Sequence, residues 1–559
     1  MIDQTENTLF LQLPENARAR SLLKSMGYDT EDLKRPRIGI ANSWGETSPG
    51  HIHLRGVADA VKAGVWQAGG TPFEFNSPAQ CPMAVGEPGM RYDLPTRDII
   101  AAEVETIANI ELFDAIVFIS SCDKNVPAHL LAAARVDLPV IFVPGGPMSS
   151  GSCGISQKTI ANLDAECYLF GVGTPRISQE ELLALENSSC PGAGSCAILG
   201  TANTMQCLVE AMGLTLPSAA TIPAVAAERL WIAKESGRRI VQMVQEGLTS
   251  SRIITKGSLR NAIKALHALG GSTNAVAHLL ALSYEKGWEK EVNLEYIEQA
   301  SDEIPCITNV IPGGTYSLTD FHASGGVQAV LKAMEPHLET ETLTVLGKPL
   351  KEYLEAVSFT PNEVIHSMEN PTFTHGLVIL RGNLATSAIV RTPVIPKEMR
   401  FHEGPARIFD SQEEAIQALR SHRVKAGDVL VLRYEGPRGG PGFNEVFKVI
   451  GFLNALGLET KCALVTDGRI SGFAKGPYIC QVSPEAASGG PLALLKEGDR
   501  IRIDVPNRRL DVLISEEEMA TRRKAWVPPP PRIKKGLLTL YYRLANPPEL
   551  GGGLDMRLL

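Results

Sequence analysis

The chain has no stretch approaching the ~18 consecutive apolar residues that a membrane-spanning helix needs, so a helical membrane protein is not expected. It has no excess of positive charge. Its 54 Lys and Arg against 62 Asp and Glu give a formal charge of −8, which leaves no electrostatic footprint for nucleic acid. The N-terminus, Met1-Ile2-Asp3-Gln4-Thr5-Glu6-Asn7, lacks the basic start and apolar core of a secretory signal, and a cytoplasmic location is expected. Internal repeats are absent, as is low-complexity sequence apart from Pro528–Pro531. The glycine-rich loops follow neither the Walker A nor the GxGxxG pattern, which argues against a nucleotide ligand. Cys190 and Cys196 are not at zinc-finger spacing, and no matching His pair follows them.

What is present is enough chain for several cores. A length of 559 residues implies two or more domains, and 44% hydrophobic with 21% charged residues is the balance of a globular enzyme. The ten cysteines are too many to ignore, yet in a cytoplasmic chain they do not make a disulfide framework. Most are expected to be small buried hydrophobes, with a few serving as ligands.

The first 150 residues alternate short apolar runs, glycine- or proline-bearing loops and helical segments. Strands are expected at Arg37–Ala41, Phe73–Asn76, Phe113–Ile119 and Val140–Val143, and helices at Leu54–Ala68, Thr96–Ile110 and Ala128–Arg135. This is the pattern of a doubly wound parallel sheet. Cys122-Asp123-Lys124 falls where the third strand gives way to a helix, on the edge where such sheets bind ligands. A second dense patch, Cys190-Pro-Gly-Ala-Gly-Ser-Cys196, opens toward a helix expected to begin near Cys196, whose thiolate the helix dipole would favour. Helical sequence continues to about residue 300. From about 360–400 onward short strands and glycine-dense loops take over, which implies an α/β domain at 1–365 and a β-rich domain at 366–559.

Eight motifs in order now carry a resemblance. They are Cys122-Asp-Lys-x-x-Pro, Gly145-Gly-Pro-Met, Cys190-Pro-Gly-Ala-Gly-Ser-Cys196, Gly271-Ser-Thr-Asn-Ala, Gly382-Asn-Leu-Ala, Gly436-Pro-Arg-Gly-Gly-Pro-Gly, Thr466-Asp-Gly-Arg-x-Ser-Gly and Val482-Ser-Pro-Glu-Ala-Ala-x-Gly-Gly. Together they resemble the dihydroxy-acid dehydratase and phosphogluconate dehydratase family over nearly the whole chain. The resemblance implies a hydro-lyase that converts a 2,3-dihydroxy carboxylate, either 2,3-dihydroxyisovalerate-like or an aldonic acid, into a 2-keto acid. It implies an iron–sulfur cluster, [2Fe–2S] rather than [4Fe–4S], and Mg²⁺. It also implies a β-barrel-like C-terminal domain and a homodimer or dimer of dimers with the site between domains.

Carried over residue by residue, Cys122 and Cys196 match cluster ligands; Asp123 and Glu445 match Mg²⁺ ligands; Ser471 matches the base. Lys124 matches a lysine whose carbamate serves Mg²⁺ in relatives. Each has a plain alternative: a buried thiol, a capping or solvated carboxylate, an ordinary lysine, a serine in a turn. Cys190 resembles a supporting residue. Two departures stand out. A third cluster cysteine is expected in the loop after the first strand, where this chain has Pro49-Gly50-His51. An acidic Mg²⁺ ligand is expected after the second strand, where it has Gln80-Cys81-Pro82. Cys81 is therefore the candidate third thiolate, with Glu87 or water completing the Mg²⁺ shell. Gln481 stands where relatives often have His. The residues after Cys196 look more like the sugar-acid branch. The missing ligands also leave open a non-catalytic homologue acting as a binding protein.

Overall fold

The structure, a computed structural model, describes residues 5–81, 89–153, 156–158, 160–470 and 472–557. Four strands, β1 (Arg37–Asn42), β2 (Thr71–Asn76), β3 (Ala115–Ser120) and β4 (Val140–Pro144), form a wholly parallel sheet in the order β2-β1-β3-β4. Every residue of β1, β3 and β4 is buried, which is why they read as unbroken apolar runs. The chain leaves β1 for one side of the sheet through helix α1 (Leu54–Gln67), then returns through α2 (Asp93–Glu111) to lay β3 on the other side of β1. The direction of winding reverses between β1 and β3. Their carboxyl ends, Asn42 and Ser120, therefore border the crevice where open sheets of this kind bind ligands.

Helix α2 begins at Asp93 and α3 (Asn125–Val136) at Asn125, each three residues before the position expected from sequence. The cause is Pro95 and Pro127, which look like boundaries but occupy the third helical position. The first N–H groups of a helix have no internal partner, so a proline there costs no hydrogen bond. A larger correction concerns Cys196. The helix that follows, α4 (Thr201–Ala211), starts five residues later, with Gly200 as its extended N-cap. Cys196 thus sits in a loop, away from the helix dipole.

Close helix contact fixes the outer face of this layer. Gly64 of α1 lies against the Lys234 carbonyl of α5 (Ala227–Glu246), and Gly237 of α5 against the Val61 carbonyl of α1. A Cβ at either position would overlap backbone, so the two helices cross where neither carries a side chain.

The C-terminal half builds a mixed sheet from β5 (Leu377–Leu380), β6 (Ser387–Arg391), β7 (Phe401–Phe409), β8 (Val429–Leu432), β9 (Ala463–Thr466), β10 (Tyr478–Ser483), β11 (Arg500–Asp504) and β12 (Arg509–Val512). The order is β12-β11-β7-β8-β9-β10-β6-β5, parallel in the middle and antiparallel at both flanks. The edges nearly meet: the Arg381 N–H donates to the Arg508 carbonyl (2.9 Å) and the Leu510 N–H to the Arg381 carbonyl (3.0 Å). Alternation sorts the two faces. Val378, Leu380, Val429, Val431, Ala463 and Val465 fill the interior, while Leu377, Ile379, Leu430, Leu432 and Leu464 join the large core shared with the N-terminal helices. A two-residue parallel pairing, Glu445↔Arg469 and Val446↔Ile470, lies beside this sheet and presents both charged side chains to the N-terminal half.

Gly237→Ala inserts a methyl group where two helix backbones touch. Urea denaturation is expected to show a loss of about 1–3 kcal/mol, the usual cost of overpacking.

Candidate active site

A cleft opens between the two halves, lined by Gln80, Cys81, Met90, Asp93, Cys122, Asp123, Cys196, Gly200, Thr201, Ala202, Asn203, Glu445, Gly472 and Phe473. The three cysteines proposed as thiolates thus border the same space, although they come from three separate loops. Cys122 follows directly from β3. The Ser48 hydroxyl is 3.7 Å from its sulfur, and Gly50 lies so close that a Cβ there would overlap the Cys122 sulfur. The loop carrying Cys196 is tied to its neighbours by backbone bonds. Gly194 N–H donates to Pro49 O (2.8 Å), Ser195 N–H to Gly146 O (3.0 Å) and Met148 N–H to Ser195 O (2.8 Å). Gly194 has φ +130°, and a side chain there would strike the Met148 backbone.

Helix α4 serves this loop with side chains rather than with its N-terminus. The Asn203 amide donates to the carbonyls of Cys196 (2.6 Å) and Ile198 (2.7 Å). Gln206 donates to Ser121 O (3.1 Å) and accepts from Gly146 N–H (2.9 Å). Burial, and after it the neighbouring Cys81, push the Cys122 and Cys196 thiols well above their ordinary range. These thiols would ionise only beside a strong cation, the opposite of the dipole-activated thiolate expected at Cys196.

The other part of the cleft is a buried network of charges. The Arg469 guanidinium donates to Asp93 Oδ2 (2.5 Å), Glu445 Oε2 (2.8 Å) and the Phe443 carbonyl (2.8 Å). The Lys124 ammonium is 2.9 Å from Asp93 Oδ2 and 3.3 Å from Asp123 Oδ2. The Asn274 amide, one residue into helix α6 (Thr273–Glu285), completes the set at Glu445 Oε2 (2.8 Å). Burial alone would raise the Asp93 pKa, but Lys124 and Arg469 outweigh it and hold the carboxylate below its usual range. Burial raises Glu445 in spite of Arg469. Burial, followed by Lys124, Arg97 and Arg469, drives His278 far below its ordinary range and keeps it neutral.

Of the residues named from sequence, Cys81, Cys122, Cys196, Asp123 and Glu445 line the cleft, and Lys124 bonds to two lining carboxylates. Ser471 and Glu87 lie outside the described residues. The neighbour of Ser471, Gly472, does line the cleft, and its carbonyl accepts from Arg391 (3.3 Å), whose guanidinium also binds Gly270 O (2.7 Å) and Leu199 O (3.2 Å). Gln481 is buried away from the cleft lining and holds the Thr273 carbonyl (2.8 Å). Asp93 and Arg469 were given no role from sequence. Arg469 stood inside a quoted motif, whereas Asp93 follows Gly89-Met-Arg-Tyr92 with no local cue.

Among the described residues, no three His, Cys, Asp or Glu side chains converge on one point as the ligands of a single ion would. The donor chemistry divides instead. Three thiols border the cleft, suited to a cluster whose thiolates spread over more than one iron. Carboxylates border it as well, suited to Mg²⁺, which takes one or two of them and completes its shell with water or substrate. The donor set fits both groups.

Comparison with known proteins accords with this chemistry. Residues 35–353 match the family model for the N-terminal part of dihydroxy-acid/6-phosphogluconate dehydratases, and residues 363–552 match the model for the C-terminal part. Similar proteins include those named dihydroxy-acid dehydratase from Ignicoccus hospitalis (46% identical, covering 97% of this chain and 98% of that one) and from Caldanaerobacter subterraneus subsp. tengcongensis (45%, covering 95% of each). Another is the dihydroxy-acid dehydratase of Methanothrix thermoacetophila, 45% identical over 97% of this chain and 98% of its own. Fold, cleft and likeness together define an enzyme of the carbon–oxygen lyase class. The chain belongs to the dihydroxy-acid/6-phosphogluconate dehydratase family of hydro-lyases. No helix among the described residues is long and apolar enough to cross a membrane.

Behind the strand ends, burial pushes His51 down to about 4 and His129 down to about 3. Unfolded, both titrate near 6.5, so below that pH the unfolded chain binds protons that the folded one refuses. Stability is expected to fall as pH drops from about 6.5 toward 4. His129→Phe should flatten part of that slope in urea midpoints measured across the range.

Proposed function

We propose that this enzyme dehydrates a short 2,3-dihydroxy carboxylate of the 2,3-dihydroxyisovalerate type to the corresponding 2-keto acid. In this reading Cys81, Cys122 and Cys196 hold a [2Fe–2S] cluster, Asp123 and Glu445 hold Mg²⁺, and Ser471 is the base. One observation carries it: a single cleft borders all three thiols and both carboxylates. The domains are taken as 1–365 and 366–559, and the working form as a cytoplasmic homodimer, in keeping with the family.

The reaction removes a weakly acidic proton from C2 and a hydroxyl from C3. When bound, the cluster and the cation supply Lewis acidity toward the 3-hydroxyl and toward the carboxylate and 2-hydroxyl. The chain's own part is to receive the C2 proton on the Ser471 oxygen, which must be ionised to the alkoxide and ends as the hydroxyl, and to hold substrate between fixed walls. Arg391 supports this by pinning the Gly472 carbonyl. Lys124 and Arg469 spend their charge on Asp93, Asp123 and Glu445 at the edge of the cleft, so the substrate carboxylate is left to the bound cation. Lys124 is drawn as an ammonium between two carboxylates; it becomes an oxygen ligand only if it takes up CO₂. Met90, Ala202 and Phe473 line the cleft with apolar surface, which suits a branched alkyl end better than the hydroxyls of a sugar acid. The aldonate reading keeps the sequence after Cys196 in its favour.

Gly50 has no sulfur to offer, so the third thiolate is assigned to Cys81, which borders the same cleft as Cys122 and Cys196. Protein purified without oxygen is expected to be coloured and to contain iron and sulfide. Cys81→Ser should lose most of the iron and the visible absorption, and Ser471→Ala should keep both while losing turnover. Dihydroxyisovalerate should be consumed faster than a panel of aldonates. Iron unchanged in Cys81→Ser would remove Cys81 from the cluster, and a colourless, iron-free wild type would remove the cluster itself.

A further inference from the structure

Asp93 is buried in the wall of the cleft and touches a cation from each half of the molecule. Its Oδ2 receives both the Lys124 ammonium, from the end of β3, and the Arg469 guanidinium, from the C-terminal half. Gln80 reaches its Oδ1 at 3.3 Å. Around it stand three carboxylates, Asp93, Asp123 and Glu445, against two cations, Lys124 and Arg469. His278 is neutral, and Arg97 has its own partner in Asp98 (2.9 Å).

The distances show what Asp93 does to the others. Lys124 lies closer to Asp93 (2.9 Å) than to Asp123 (3.3 Å), and the Asp123 side chain keeps 34% of its surface exposed. Arg469 divides its two terminal nitrogens between Asp93 and Glu445. Without Asp93 each remaining carboxylate would have a cation to itself: Arg469 for Glu445 and Lys124 for Asp123. The cleft would then have no negative charge left over.

We propose that Asp93 is a positioning residue for the cation end of the cleft. By occupying Lys124 and sharing Arg469, it keeps the two cations from being devoted to Asp123 and Glu445, and leaves these five side chains one net negative charge to attract a divalent cation. This rests on the cation reading above and places a carboxylate in the wall that Cys81 also lines, as a positioning group and not as a ligand. It does so from the start of α2 rather than from the loop after β2.

The test is Mn²⁺ binding to the purified full chain, freed of other divalent cations and followed by the electron paramagnetic resonance of free Mn²⁺, with iron content measured alongside. Asp93→Asn is expected to bind Mn²⁺ at least about tenfold more weakly than wild type, with iron unchanged, and Asp93→Glu to recover to within about threefold. Asp93→Ser, which leaves room for water beside the two cations, removes the same charge and serves if the Asn variant does not fold. Charge-removing variants that bind Mn²⁺ as tightly as wild type, even with a lowered unfolding midpoint, would overturn the proposal and leave the cation reading standing. A wild type that binds no Mn²⁺ would overturn both.

Discussion

The arrangement depends on one buried guanidinium. Arg469 is fully buried, and each of its three nitrogens has a partner: Asp93, Glu445 and a backbone carbonyl. Arginine suits this task because its fork is planar and permanently charged. The partners come from opposite halves of the chain, so the same contacts that satisfy the charge also set the width of the cleft. A buried ion pair of this kind adds little net stability over a well-packed apolar one, but losing one partner strands the other and typically costs about 3–5 kcal/mol. The network therefore acts mainly to enforce one geometry.

The fold was largely legible because its strands are buried on both faces. β1, β3 and β4 could be read from the run of β-branched residues, and β8 and β9 likewise. The helix starts at Asp93 and Asn125 were read late, since a proline in the first turn looks like a boundary and is in fact free of cost there. Cys196 was misplaced for a related reason: a glycine-rich loop before a helix does not reveal on which residue the first turn closes. Asn203 and Gln206, which hold that loop, carry no signal beyond their type.

At the site the legible part was the set of residues that motifs mark. The illegible part was what those residues do to one another. Asp93 and Arg469 are 376 positions apart in sequence, and no local pattern announces that they meet. The loops at Gly50 and Cys81 show the same limit from the other side. Sequence revealed that one lacks a sulfur and the other has gained one. The packing of Gly50 against the Cys122 sulfur shows that the first of these positions has closed around its neighbour.

Joining the walls of the cleft through buried charge also settles how it can exchange its contents. A clam-shell swing of the two halves would pull Arg469 away from Asp93 and give up a contact made in a buried setting. That contact favours exchange of reactant and product through the mouth of the cleft with its frame shut. Met90 and Phe473 line that cleft, so the side chains bordering the path are bulky and apolar.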